Sequence, residues 1–335
     1  MQRNTSIDLL KGFLITLVCI GHTCQFLIHI NQGFWQDPLF KAIYMFHMPL
    51  FMAVAGYLSY RGINATQSHI KYIMRRAISF LVPIFVWLIM EQVLRLLVTG
   101  HLNAPNVIIT SGLEMLWFLW VLIGSIILTS IATATGKYRP FMLIVLFLGT
   151  LALPYDILII YMFKYLFPFF VTGFYFAKFD FRPTPPIKLK FLTFILGLGS
   201  FACFLMWDKS TFIYTTKMSL SLDNLPNVLL RWLFGSIVSG FVVLSIYHYS
   251  SAIPKKLKKI LVMAGRDSIY IYILQTYTFL LIFRIAKRFL HPVSNIFFGD
   301  LLAIIIGFLV TCLCLVFGRI ISKNKYFNRL IFGKG

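Results

Sequence analysis

The first apolar run of this sequence holds an informative set of polar side chains: Asp8, Lys11, His22, Gln25 and His29. A group that carries charge or a proton is costly in hydrocarbon, so its presence there marks a cavity, a partner or chemistry. On a helix His22 lies about 20° round from Lys11, and His29 about 20° from His22. Asp8 lies about 60° from Lys11 on the other side. One stripe therefore carries a carboxylate and an ammonium at one end and two imidazoles further along. Lys11 and His22 are about 16 Å apart along the axis. An imidazole titrates near neutral pH and can take a proton from a hydroxyl or carry an acyl group. The plainer reading of His22 is a core histidine bonded to a neighbouring helix. His29 reads as an interfacial residue.

The second apolar run carries Phe46-His47-Met48-Pro49-Leu50-Phe51. His47 falls about 12 Å from the outer membrane face and His22 about 8 Å, so the two can share a cavity. Alternatively, His47 only bonds a carbonyl freed by Pro49. Glu91 and Arg95 form an i,i+4 pair, and Lys164 and Arg231 also sit inside apolar runs. These are either structural ion pairs or the lining of a polar vestibule. Two further clusters are basic: Lys71-Tyr72-Ile73-Met74-Arg75-Arg76, and Lys255-Lys256-Leu257-Lys258-Lys259 followed by Gly265-Arg266-Asp267. They serve topology, anionic lipid or a phosphate-rich ligand, for which arginine is best suited.

The elements that must position these residues are membrane helices. Of 335 residues 59% are hydrophobic and 12% charged, where a soluble domain has roughly 25% charged. Ten apolar runs are read as spans: 7–29, 39–60, 78–98, 113–134, 140–155, 157–177, 191–207, 228–249, 267–283 and 299–318. The fifth, seventh and ninth are short, which suits tilted or buried helices. Lys and Arg alternate between the two sides at every step. With Lys11 and Lys41 assigned to their nearer ends, 22 fall on one side and 6 on the other, and Arg95, Lys164 and Arg231 stay inside. The expectation is an all-α integral membrane protein with cytoplasmic N and C termini. The net charge of +21 then reports topology rather than nucleic acid. Cys19, Cys24, Cys203, Cys312 and Cys314 all fall in apolar runs, with neither a disulfide framework nor metal spacing. No metal is expected.

The sequence resembles the membrane acyltransferase family 3. The resemblance rests on Asp8-Leu9-Leu10-Lys11-Gly12, Gly21-His22, Phe46 to Phe51, Gly56-Tyr57, Trp117-Phe118-Leu119 and Gly265-Arg266-Asp267-Ser268. The wording of Lys11-Gly12 and of Phe46 to Phe51 is most similar to the fucose 4-O-acetylase-like branch. The resemblance spans the chain and implies a single membrane-embedded acyltransferase domain, residues 1–335. It implies transfer of an acyl group, acetyl by expectation, from cytoplasmic acyl-CoA to a sugar hydroxyl of an extracytoplasmic or lipid-linked glycan. His22 and His47 are then the catalytic candidates, with His22 as general base. Lys11, Arg75, Arg76 and Arg266 are candidates for the donor phosphates; Glu91, Trp117 and Gln275 for the acceptor side; Asp8 for orientation. Arginine is commoner where this chain has Lys11, and many members have a histidine where it has Gln275. Acetyl-CoA is a donor substrate rather than a tightly bound cofactor. The expected partners are acyl-CoA, the glycan and membrane lipids, in a bacterial cell membrane. The length of a pantetheine arm suits the Lys11–His22 separation. Two other readings remain at this stage: a polytopic exporter of a glycan or its precursor, since intramembrane charges also mark pathways, and a structural partner in a glycan-synthesis complex.

Overall fold

The computed structural model describes residues 4–153, 157–178, 186–286, 291–293 and 295–334. Among them every regular element is helical and none is a strand. In chain order the α-helices are α1 (Thr5–Thr23), α2 (Pro38–Tyr44), α3 (His47–Asn64), α4 (His69–Thr99), α5 (Pro105–Glu114), α6 (Trp117–Ala134), α7 (Arg139–Leu151) and α8 (Leu158–Phe176). They continue with α9 (Pro186–Met206), α10 (Ile213–Thr216), α11 (Leu225–Tyr249), α12 (Lys255–Arg266), α13 (Ser268–Ala286), α14 (Ile296–Ser322) and α15 (Lys325–Phe332). Eight described helical segments are long and apolar enough to cross a membrane. Each of the ten expected runs coincides with helix. The two outside the eight are α7 and α13, both among the runs read as short. The 13 residues of α7 reach about 20 Å, less than a bilayer core. Positions 154 and 155 of that run lie outside the described residues. Large apolar side chains such as Phe85, Leu97, Phe194, Phe201 and Leu313 are exposed along these helices. In hydrocarbon such a surface carries no penalty. The protein is an all-α, multi-pass membrane protein.

The chain divides into two compact units, Met1–Val54 with Asp180–Arg319, and Ala55–Phe179 with Ile320–Gly335. In the first, α1 starts at Asn4, whose side chain accepts from the Ser6 and Ile7 N–H groups. The helix packs along α12, which is amphipathic: Leu261, Val262, Ala264 and Gly265 are buried, while Lys255, Lys256 and Lys259 are exposed. The crossing is close because both helices have a glycine there. A Cβ on Gly12 would overlap the Leu261 carbonyl, and one on Gly265 the Asp8 carbonyl. The lysine-rich linker is thus a helix docked on the start of α1.

The second run is broken rather than continuous. α2 ends at Tyr44 and α3 begins at His47. Pro49 falls in the first turn of α3, where its missing N–H costs nothing. The expected carbonyl freed by Pro49 therefore does not arise as a mid-helix defect.

Within the second unit α4 begins at His69, because the Ser68 side chain caps it by accepting from Lys71 N–H. Arg75 and Arg76 consequently sit on the helix and not in the preceding loop. α15 docks on α4: Phe332 is fully buried and Trp87 Nε1 donates to the Ile331 carbonyl at 3.0 Å. Lys164 is buried and donates to the Leu151 and Leu153 carbonyls. It thereby satisfies the end of α7, where a cation also suits the helix dipole.

Candidate active site

α1 runs unbroken from Asp8 to His22, and then the backbone changes to a π-helical turn over Cys24–Ile28. Such turns mark functional positions more often than chance. His22 Nδ1 lies 2.7 Å from Gln275 Oε1 on α13. The orientation of that amide is fixed by its other end. Gln275 Nε2 donates to the Tyr272 carbonyl at 3.1 Å and to Thr276 Oγ1 at 2.9 Å. Thr276 Oγ1 itself donates to the Tyr272 carbonyl, so its lone pairs are free to accept. A flipped amide would set oxygen against oxygen. Oε1 therefore faces His22 and can only accept, which places the imidazole proton on Nδ1. Nε2 is left with its lone pair, the state a general base needs. Phe26 and Phe279 wall the ring, at centroid distances of 5.7 and 5.8 Å. Gln275 is fully buried.

His47 is buried, and its Nδ1 donates to the Ile43 carbonyl at 2.9 Å. That carbonyl, at the end of α2, also accepts from the Phe46 N–H at 3.3 Å, so His47 adds a second bond to it across the break. A carbonyl cannot donate, so His47 too carries its proton on Nδ1 and presents Nε2 as an acceptor. The plainer reading of His47, a carbonyl-bonded histidine, fits this geometry.

At the other end of α1, Asp8 is buried and lies 3.4 Å from Arg266 Nε. Arg266 remains exposed, with 45% of its side chain accessible. Asp267 is tied to Arg319 Nε at 2.8 Å. Lys11 is half-buried beside Gly12 at the crossing. The Lys-Gly and Gly-Arg-Asp motifs are therefore one structure, the crossing of α1 with α12.

Arg75 and Arg76 belong to the second unit, exposed on α4 and flanking the buried Tyr72 ring at 5.9 and 5.6 Å. Glu91, also there, is buried. Trp117 is the first residue of α6 and packs edge-on against Phe118. Of the residues singled out in sequence, the first unit thus holds Asp8, Lys11, His22, His47, Arg266 and Gln275.

Arg231 was read as an ion-pair or vestibule residue. It is a clamp on backbone: Nε donates to the Thr211 carbonyl at 2.8 Å, Nη2 to Ser210 at 2.9 Å and Nη1 to Lys217. His29, expected at the interface, has a partner that the sequence does not single out. His29 Nε2 meets Asp37 Oδ2 at 2.8 Å, and Asp37 Oδ1 accepts from the Phe40 N–H as it caps α2. Burial works to raise the Asp37 carboxyl; the bonds from His29 and Phe40 outweigh it and hold it below the usual carboxylate range. The signal that was present is Asp37-Pro38 before an apolar run, a helix-start pattern.

A family model described as an acyltransferase domain matches residues 4–319. The chain belongs to that acyltransferase family. This membrane acyltransferase is 29% identical to the nodulation protein NolL of Sinorhizobium fredii over 288 residues, 82% of this chain and 77% of that protein. To the nodulation protein NolL of Mesorhizobium japonicum it is 27% identical over 345 aligned positions, 99% of this chain and 91% of that protein. No solved structure matches the acyltransferase.

Proposed function

We propose that this acyltransferase moves an acetyl group from cytoplasmic acetyl-CoA to a sugar hydroxyl of an extracytoplasmic glycan, with His22 as general base. The observation that carries the reading is the His22–Gln275 bond, which leaves Nε2 of His22 unprotonated in an aromatic-walled setting. The acceptor hydroxyl gives its proton to His22 Nε2 as its oxygen attacks the thioester carbonyl. The C–S bond then breaks, and the CoA sulfur leaves with the proton returned by the imidazolium. Gln275 Oε1, fixed by its own bonds, keeps accepting from Nδ1 throughout and holds the ring in place. His47 Nε2 accepts a hydrogen bond from the acceptor sugar and helps place it. Arg266, oriented by Asp8, and Lys11 bind donor phosphates on the cytoplasmic side. The eleven-residue step along α1 from Lys11 to His22 is about 16 Å, a span suited to an extended pantetheine arm.

Purified protein in detergent, given acetyl-CoA labelled in the acetyl group and a panel of saccharides, including lipid-linked ones, should yield labelled saccharide with no membrane gradient present. Mass spectrometry of surface glycan from cells with and without the gene should show the loss of an acetyl increment. If the glycan is unchanged and no saccharide is labelled, the reading fails.

A further inference from the structure

We infer that Cys24, His29, Asp37 and Asp300 form a zinc(II) site where the π turn after α1 meets the starts of α2 and α14. The Cys24, His29 and Asp37 ligand atoms all lie within 4.8 Å of one another. Asp300 on α14 carries a buried Oδ1 with no hydrogen-bond partner, and its charge acts on both Asp37 and His29. Cys24 is fully buried and Asp37 nearly so. Two carboxyls side by side in a buried place, next to a thiol and an imidazole, have more acceptors than donors. A cation settles that imbalance.

The ligand chemistry selects the metal. A thiolate and an imidazole with carboxylate oxygens suit zinc, whereas calcium and magnesium take oxygen alone. Tetrahedral zinc holds sulfur at about 2.3 Å and nitrogen or oxygen at about 2.0–2.2 Å, so neighbouring ligand atoms lie about 3.5 Å apart. The His29–Asp37 contact of 2.8 Å needs to open by only a fraction of an ångström. Asp300 stands outside the set of atoms that lie within 4.8 Å of one another, so its carboxyl moves in to fill the fourth position and close a structural centre. Binding displaces the Cys24 thiol proton and any proton shared by the two carboxyls.

The backbone is arranged to deliver these side chains. Cys24 opens the π turn and His29 closes it. Ile30 and Asn31 then take left-handed conformations, with φ of 50° and 61°, and turn the chain back towards Asp37. A β-branched residue adopts that conformation only where its surroundings impose it. Without metal the three segments are joined here by the His29–Asp37 bond and by Val293 N–H donating to the Ile28 carbonyl at 3.1 Å. Zinc would lock them together two residues beyond His22.

The test is a metal titration of the purified, chelator-treated protein, and acyl transfer plays no part in its readout. Cobalt(II), then zinc(II), is added to wild type and to the variants Cys24→Ser and Asp300→Asn, each checked for monodispersity. Wild type should bind one cobalt per chain with a thiolate-to-cobalt charge-transfer band that zinc abolishes. Cys24→Ser should lack the band, and Asp300→Asn should keep it with affinity lowered about tenfold or more. Absence of the band in folded wild type overturns the inference, even if a variant fails to fold. A band that persists in Cys24→Ser overturns it as well, since the sulfur then comes from elsewhere.

Discussion

At the scale of single residues, His22 and Gln275 have to be weighed as a pair. A general base contributes about 10²–10⁴-fold to the rate and little to ground-state binding. His22→Ala should therefore lose transfer by that factor with CoA affinity unchanged, read by isotope transfer beside equilibrium binding. His47→Ala should be milder and show mainly as a raised acceptor KM. If His47→Ala loses kcat while His22→Ala keeps it, the two roles are reversed. Gln275→Leu removes the acceptor that holds the Nδ1 proton in place. It should lower kcat about 10- to 100-fold, as loss of an orienting partner does, shift the pH profile and leave the donor KM alone. An unchanged pH profile would mean Gln275 only fills space. His22 was legible in sequence because an imidazole in an apolar run has to be explained. Gln275 was singled out by resemblance alone, for the acceptor side, and its bond to a residue 253 positions away is a tertiary fact no local pattern carries. The same holds for Asp300, which meets Asp37 only once α14 is placed.

At the scale of elements, the decisive contact is the crossing of α1 and α12. Gly12 and Gly265 each abut a backbone carbonyl of the other helix, and a backbone cannot move aside as a side chain does. Gly12→Val or Gly265→Val should push the helices apart at a cost of about 1–3 kcal/mol or more. The thermal midpoint should fall, and the donor KM should rise as Asp8 and Arg266 separate. Gly149→Ala is the control: nothing lies within 4 Å of a Cβ there, and alanine is the better helix former by about 1 kcal/mol. Equal loss of stability in all three would show that the crossing is not special. Helix existence was readable from apolar runs, since hydrocarbon permits little else. Breaks were not. The interruptions at Met45 and Phe46 and at Met115 and Leu116 occur inside apolar sequence, where composition does not change and only packing and side-chain bonds such as that of His47 decide.

For the whole molecule, the side of the membrane that each segment faces follows from charge rather than from packing. The alternation of Lys and Arg, 22 against 6, assigns sides through the cost of moving cations across a membrane rather than through any contact. On the proposed reading it puts both termini, the α12 lysines and Arg266 in the cytoplasm, the side of the acyl-CoA donor. On the same reading the end of α1 beyond His22, with His29 and Asp37, lies on the outer side, that of the proposed glycan acceptor. The mechanism depends on that polarity: reversed, the phosphate-binding end would face away from the donor. Single cysteines introduced on a background lacking the five native ones test it with a reagent that does not cross membranes. A cysteine in the 101–111 segment should label in intact cells. One in 64–70, or beside either terminus, should label only after permeabilisation. The 64–70 segment leads into α4, whose first turns carry Lys71, Arg75 and Arg76. Labelling it from outside would place those cations on the wrong side of the membrane, leave Lys11 and Arg266 without a cytoplasmic donor and sink the assigned direction of transfer.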